Sequence, residues 1–137
     1  MKKVLIIDGQ GGRIGKMIAE RLVPLEGVEL TVVGTNSVAT SAMMKAGVAR
    51  GATGENPIVV LSKEADVIVG PVGIVMADSM LGEITEKAAA AVSRSGAEKV
   101  LIPVAKCQTH VAGAKDISLS ALIDDAAEKI ELLIKNA

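Results

Sequence analysis

Short apolar stretches alternate along the chain with stretches in which apolar side chains recur every three or four positions. The first kind is typical of buried parallel strands, and the second is typical of amphipathic helices. On this pattern we predict strands over residues 3–8, 28–34, 48–52, 66–70 and 98–105. We predict helices between them over residues 12–23, 37–46, 84–95 and 118–136.

Two segments are less regular. Residues 55–65 fit either a strand or a helix, but Pro57 at a first-turn position and the need for a crossover favour a helix. Residues 71–82 receive no assignment. The alternation predicts one α/β domain over residues 1–137, with a doubly wound, mostly parallel sheet of about five strands and helices on both faces. In such sheets ligands bind beyond the carboxyl ends of the strands, where the strand order reverses.

The composition argues against two classes of partner, nucleic acids and membranes. Half of the residues are hydrophobic, yet none is Phe, Tyr or Trp, and the formal net charge is −1. We therefore expect no nucleic-acid partner, because stacking platforms and a basic surface are both missing. No apolar run approaches the length that spans a membrane, and a single cysteine fits a reducing compartment. These features predict a cytoplasmic protein with no membrane partner.

The sequence DGQGGRIGK at residues 8–16 joins the first predicted strand to the first predicted helix. A triphosphate-binding P-loop would need glycine where Gln10 stands and a hydroxyl where Met17 stands, so we reject that motif. The glycine spacing instead matches a turn that brings backbone close to a pyrophosphate over a helix N-terminus. The alternative is a tight turn without a ligand. The predicted cofactor contacts in this turn are Gly9, Gln10, Gly11, Gly12, Arg13 and Ile14.

Asp8 complicates this interpretation. Its carboxylate would repel a pyrophosphate unless it accepts hydrogen bonds from backbone N–H groups or binds a metal, and we favour the first of these roles. The run GQGGRIGK resembles the turn of dihydrodipicolinate reductases. This resemblance covers only the first strand and helix, and it implies an NAD(P)-binding Rossmann domain.

The end of the second predicted strand bears on the choice of cofactor. An NAD site usually has an acidic residue there for the ribose hydroxyls, but this chain has Gly34, Thr35, Asn36 and Ser37. Such donors suit a phosphate, and Arg13 is placed to reach the adenosine side, so we predict NADP with NAD as the alternative. A helix cap by Asn36 or Ser37 explains the same residues without a ligand. After the fourth predicted strand we expect further contacts from Gly70, Pro71 and Gly73.

Cys107 and His110 follow the fifth predicted strand and, together with Asp8, are the candidate catalytic residues. A Cys–His pair can form a thiolate nucleophile or supply two metal ligands. We predict no metal site, because a structural metal needs more ligands of this kind than the chain holds. Catalysis would need a helper carboxylate, for which the candidates are Asp8, Glu55, Asp78 and Glu83. The alternative places Cys107 and His110 as loop residues near the mouth of a pocket.

Four phrases spread along the chain carry a second resemblance: IDGQGGRIG, GTNSVATSAMMKAG, GATGENPIVV and SMLGEIT. Taken together they are similar to an uncharacterised bacterial family of short Rossmann-like proteins. The resemblance extends from end to end. It implies a cytoplasmic protein with a nucleotide-binding type of fold, and it implies no particular reaction.

These observations predict a small NADP-preferring Rossmann domain that binds a nucleotide as a sensor, or that acts as a minimal NAD(P)-dependent oxidoreductase completed by oligomerisation. The mean hydropathy of +0.45 favours a homo-oligomer, with the last helix as the contact. One alternative is an enzyme for a small substrate that uses Asp8, Cys107 or His110 without a dinucleotide. Another is a scaffold with no small ligand. We expect Gly12→Asp to block an anion while permitting folding.

Overall fold

Strands and helices alternate along the chain, as the hydrophobic pattern predicts. The computed structural model describes residues 1–104, 109–114 and 116–136. The strands are β1 (Lys2–Asp8), β2 (Val28–Gly34), β3 (Arg50–Thr53), β4 (Val67–Pro71) and β5 (Glu98–Ile102). The helices are α1 (Arg13–Leu22), α2 (Ser37–Met44), α3 (Glu55–Ser62), α4 (Glu86–Arg94) and α5 (Leu119–Lys135), and a 3₁₀ turn follows β4 at Val72–Val75.

The five strands form one sheet in the order β3-β2-β1-β4-β5, and all neighbouring strands are parallel. Asp8 at the end of β1 pairs with Gly34 at the end of β2. The strand order reverses between β1 and β4, because the chain adds β2 and β3 on one side of β1 and then returns to the other. This is the strand order of nucleotide-binding Rossmann domains, in which ligands bind at the point of reversal. The predicted fold class is confirmed.

The core lies on both faces of the sheet because successive side chains of a strand point to opposite faces. Val4 and Ile6 of β1 pack with buried residues of α1, α2 and α5 on one face. Leu5 and Ile7 pack with buried residues of α3 and α4 on the other. Branched and unbranched aliphatic side chains thus fill a doubly wound core without any aromatic residue. Within the described residues, no helix is long and apolar enough to cross a membrane.

The structure also resolves the irregular segments. Residues 55–62 are helical, as Pro57 indicated, whereas β5 ends at Ile102 and not at residue 105 as predicted. Pro103 accounts for this earlier end, because proline has no backbone N–H to extend the ladder. Residues 76–85, which we call the crossing loop, follow the 3₁₀ turn and contain three non-glycine residues with positive φ: Asp78, Met80 and Leu81.

Candidate functional site

The glycine turn between β1 and α1 is held in place by the buried carboxylate of Asp8. Its two oxygens accept hydrogen bonds from the backbone N–H groups of Gly9, at 2.8 Å, and Gly15, at 2.7 Å. Gly15 is buried against Asp8 and Met43, so its missing side chain lets α1 lie close to the sheet. Asp8 therefore braces the loop, which is the role that we favoured from the sequence.

The start of α1 presents backbone donors that the turn itself does not use. Gly12 caps the helix in the left-handed conformation, and no side chain there accepts a hydrogen bond. Among the described residues, no acceptor takes the N–H groups of Gly11, Arg13 or Ile14. The Arg13 side chain is exposed and forms no ion pair with any described residue. Free N–H groups, the helix dipole and a nearby guanidinium make this position suitable for an anion.

A cleft of about 380 Å³ opens directly in front of these donors. It lies at the reversal point between β1 and β4, and its volume falls within the range of about 300–1,000 Å³ that is typical of small-molecule sites. Its walls are mostly apolar. They come from residues 8–14 of the glycine turn, residues 71–73 and 76–80 after β4, and Val104, Thr109 and Leu119.

On the other side of the glycine turn, the Glu83 carboxylate joins three hydrogen-bond donors. Its Oε1 accepts from the backbone N–H of Gln10 at 2.8 Å and from the Thr35 hydroxyl at 2.5 Å. The Asn36 side-chain amide donates to the same oxygen at 2.9 Å. Glu83 thereby ties the crossing loop to the ends of both β1 and β2. Neither Glu83 nor its two side-chain donors lines the cleft.

The environment of Glu83 favours its charged form. Burial raises the pKa of this carboxyl, but the hydrogen bonds from Thr35, Gln10 and Asn36 together lower it by more. The pKa of Glu83 therefore lies below the usual value of 4.5. Glu83 is therefore an anion at neutral pH. Two donors at the end of β2 and one in the glycine turn thus hold a negative charge that belongs to the protein itself.

Most residues predicted from the glycine turn and from the loop after β4 do meet at the cleft. They are Asp8, Gly9, Gln10, Gly11, Gly12, Arg13, Ile14, Pro71 and Gly73. Gly70 does not line it: this residue lies inside β4, where an added Cβ would collide with the carbonyl oxygen of Ile7. His110 is exposed and is not part of the cleft wall, and Cys107 lies outside the described residues.

None of the four residues at the end of β2 lines the cleft, and three of them, Gly34, Thr35 and Asn36, have structural partners instead. Asn36 caps α2 by accepting a hydrogen bond from Ala39 N–H at 2.9 Å, which is the ligand-free role that we weighed. The N–H of Gly34 donates to Thr40, and Ser37 is the first residue of α2. Thr35 donates to Glu83. The donors of Gly34, Thr35 and Asn36 are therefore engaged within the chain.

Sequence reasoning missed the contribution of the crossing loop. Met76, Ala77, Asp78, Ser79 and Met80 line the cleft, although residues 71–82 gave no periodic pattern. Glu83 was noted only as one of several carboxylates that might help catalysis. The available signal was the position of Glu83, an acidic residue just before α4. Thr85 already caps this helix by accepting a hydrogen bond from Ala88 N–H, so Glu83 is not explained as a cap.

The structure also corrects the expectation that Gly12→Asp would permit folding. Gly12 has a φ of +72°, and a Cβ built there lies 2.7 Å from the Ala39 carbonyl oxygen. Gly11 has open space around the corresponding position, with nothing within 4 Å. A side chain at residue 11 therefore meets no neighbouring atom, and Gly11, which lines the cleft, is the better position for a test.

No group of three or more histidine, cysteine, aspartate or glutamate side chains within residues 1–104, 109–114 and 116–136 is arranged to hold a metal ion. The candidate helper carboxylates also have different partners and do not form one cluster. Asp8 braces the glycine turn, Glu83 binds the end of β2, and Glu55 accepts a hydrogen bond from the Thr85 hydroxyl. Only Asp8 and Asp78 line the cleft.

Residues 3–135 match a protein family described as a domain of unknown function (DUF3842), and the chain belongs to this family. The expected membership of an uncharacterised family is thus confirmed. No curated protein sequence matches the chain. The likeness of the turn to dihydrodipicolinate reductases stays a resemblance confined to one strand and helix.

Among solved structures, the fold is similar to that of a dodecameric FMN-dependent UbiX-like decarboxylase from Escherichia coli O157:H7. The two share 17% sequence identity with a TM-score of 0.50, over 97% of this chain and 76% of that one. The prediction of NADP, with NAD as the alternative, is wrong on this finding, because the similar structure is described as FMN-dependent. The geometry gives a physical reason: Glu83 already holds the Thr35 and Asn36 donors that were to bind the 2′-phosphate.

Proposed function

We propose that this member of the DUF3842 family binds a flavin mononucleotide, FMN, in the cleft between β1 and β4. The observation that carries the proposal is the set of backbone donors at Gly11, Arg13 and Ile14, which no described residue accepts from and which open onto that cleft. FMN has one terminal phosphate on a short polyol chain and one large ring system. A mononucleotide needs one anion site beside one apolar cleft, and the described residues offer this combination.

The cleft residues fit the three parts of FMN by their chemistry. The phosphate suits the N-terminus of α1 with the Arg13 guanidinium nearby. The polyol hydroxyls suit polar side chains of the cleft wall, among them Asp78, Ser79 and Thr109. The flavin ring suits the aliphatic and thioether side chains of the cleft wall, which take the place of aromatic stacking partners because the chain has no aromatic residue. These apolar residues are Ile14, Val72, Met76, Met80, Val104 and Leu119.

A bound flavin would supply the redox or electrophilic chemistry of its ring, and the protein would supply binding and exclusion of water. The Asp8 carboxylate takes part indirectly, since its hydrogen bonds to Gly9 and Gly15 fix the turn that carries the phosphate donors. The structural neighbour with a similar fold is described as FMN-dependent, which supports the choice of a flavin over other mononucleotides.

The test is a titration of the purified protein with FMN and with riboflavin, which lacks the phosphate. Polarisation of the flavin fluorescence is a suitable readout, because the protein has no aromatic residue to fluoresce or to quench the flavin by stacking. We expect FMN to bind at micromolar concentrations and riboflavin to bind at least about tenfold more weakly, a difference of about 1.4 kcal/mol.

Two variants at one open position give the matched control. Gly11→Asp places a carboxylate beside the free N–H groups and is expected to weaken FMN binding by at least about tenfold. Gly11→Ala adds only a methyl group in open space and should retain wild-type affinity. Equal affinities for FMN and riboflavin, or no FMN binding at about 1 mM, would show that the cleft is not an FMN site.

We further propose that the chain forms a homo-oligomer through α5 and β5. Leu132 on α5 is 60% exposed, and it lies near β5, the edge strand of the sheet. An apolar side chain beside an open strand edge is a typical contact between copies. The similar solved structure is described as dodecameric, which supports assembly. Light scattering coupled to gel filtration measures the mass, and a monomer at all concentrations would contradict this proposal.

A further inference from the structure

The crossing loop passes over the glycine turn and fills the space beside the end of β2. A Cβ built at Gly9 would lie 2.7 Å from the Met80 sulfur, 2.7 Å from Thr35 Oγ1 and 3.0 Å from Glu83 Oε1. Residues from two different segments thus crowd the first glycine of the turn. The first part of the loop, up to Met80, lines the cleft, whereas Glu83, Thr35 and Asn36 do not. Glu83 therefore closes the side of the turn at the end of β2, while the cleft side stays open.

The closed side is where a second nucleotide would be held. In Rossmann domains that bind dinucleotides, the pyrophosphate lies over the glycine turn and a residue at the end of β2 binds the ribose of the adenosine. Here the donors at that position, the Thr35 hydroxyl and the Asn36 amide, point to the Glu83 carboxylate. The Gln10 N–H within the turn does so too.

We propose that Glu83 is a specificity-determining residue, which restricts the site to a mononucleotide by holding the crossing loop over the end of β2. The inference rests on the proposed function, since it concerns which flavin nucleotide that site accepts. Flavin adenine dinucleotide, FAD, is FMN extended through a second phosphate by adenosine. Its FMN half suits the open cleft, but its adenosine half would need the space at the end of β2 that Glu83 occupies.

The backbone of the crossing loop supports a role for Glu83 in holding it. Asp78, Met80 and Leu81 all have φ between +57° and +66°, a left-handed conformation that is unfavourable for an L-residue. Leu81 is 94% exposed, whereas Met80 packs against the core and Ile84 is buried. Backbone hydrogen bonds within the loop, such as Glu83 N–H to the Met80 carbonyl, keep its local shape. The Glu83 carboxylate adds the contacts to the glycine turn and to the end of β2. Removal of this carboxylate should release the loop from the end of β2.

The test compares the affinities of FMN and FAD for the wild-type protein and three variants. We expect the wild type to prefer FMN by at least about tenfold. Glu83→Ala removes the acceptor and should reduce this preference by about tenfold or more through tighter FAD binding. Glu83→Gln is the matched control, because its amide oxygen still accepts from the same donors, and it should keep most of the preference.

Thr35→Val provides an independent variant that keeps the size of the side chain and removes one donor to Glu83. It should shift the preference in the same direction by about threefold. Circular dichroism confirms that each variant is folded, and if Glu83→Ala is not, Thr35→Val decides. Wild-type binding of FMN with an unchanged preference in the folded variants would overturn this inference and leave the proposed function standing. Failure of the wild type to bind FMN would overturn both.

Discussion

Gly11 and Gly12 are adjacent, but the structure predicts opposite consequences for a side chain at the two positions. Gly12 has a φ of +72°, and a Cβ there lies 2.7 Å from the Ala39 carbonyl oxygen and 2.8 Å from Ala39 Cα. Gly11 has no atom within 4 Å of its Cβ position, and its φ lies outside the left-handed region. A comparison of the two variants therefore distinguishes the need for a left-handed backbone at residue 12 from a general effect of a side chain in the turn.

The expected cost of Gly12→Ala has two parts. The left-handed conformation costs an L-residue about 1–2 kcal/mol. The contact with Ala39 is with backbone that begins the buried face of α2, so it cannot be relieved by a side-chain rotation, and overpacking of this kind costs about 1–3 kcal/mol. We expect the free energy of unfolding to fall by about 2–5 kcal/mol in total. Gly11→Ala should be neutral or stabilising by up to about 1 kcal/mol.

Urea unfolding followed by circular dichroism measures both variants, because the chain has no aromatic residue to report by fluorescence. The dependence on urea should be the same in both, since neither change alters the surface that unfolding exposes. Equal losses in Gly11→Ala and Gly12→Ala, or a loss below about 1 kcal/mol for Gly12→Ala, would refute the reasoning about the left-handed turn.

Two further predictions concern the carboxylates on either side of the turn. Asp8→Asn should lower the free energy of unfolding, measured in urea, by roughly 2–3 kcal/mol. The reason is that an amide has only one oxygen to accept from the N–H groups of Gly9 and Gly15. A loss below about 0.5 kcal/mol would contradict the bracing role. The lowered pKa of Glu83 makes its stabilisation complete above its unfolded pKa of about 4.5 and lost as the pH falls through the folded value. Between about pH 7 and pH 3 the wild type should therefore lose more stability than Glu83→Gln, and parallel pH profiles would argue against a charged Glu83.

The sequence predicts the fold well because one physical signal, apolar periodicity, determines most of it. Continuous apolar runs such as residues 3–8 and 66–70 are buried parallel strands, and these coincide closely with β1 and β4. Pro57 correctly indicated a helix in a segment of mixed character. The prediction differs from the structure at the end of β5. The strand ends at Ile102, because Pro103 has no N–H group to extend the hydrogen-bonded ladder.

The candidate site is predicted only in part, because its two halves depend on different kinds of information. The glycine turn is local: the spacing of glycines between a strand and a helix identifies it, and residues 9–14 all line the cleft. The contacts of Glu83 are not local, since they join residues separated by 73, 48 and 47 positions. No periodicity or motif encodes such pairings. Thr35 and Asn36 were therefore interpreted as ligand donors when they bind the chain itself.

This distinction also explains why a glycine turn is weak evidence for a particular nucleotide. The turn provides N–H donors for a phosphate in either kind of site, so it does not discriminate between one nucleotide and two. The discrimination depends on what lies beyond the end of β2, where a dinucleotide needs open space and unused donors. Here the Glu83 carboxylate from a distant loop accepts from the Thr35 hydroxyl and the Asn36 amide at that position. The same oxygen also accepts from the Gln10 N–H of the turn, and all three distances are within 3.0 Å. Under the proposed function, substitution of Glu83 should therefore change which nucleotide binds, while the glycine turn stays the same.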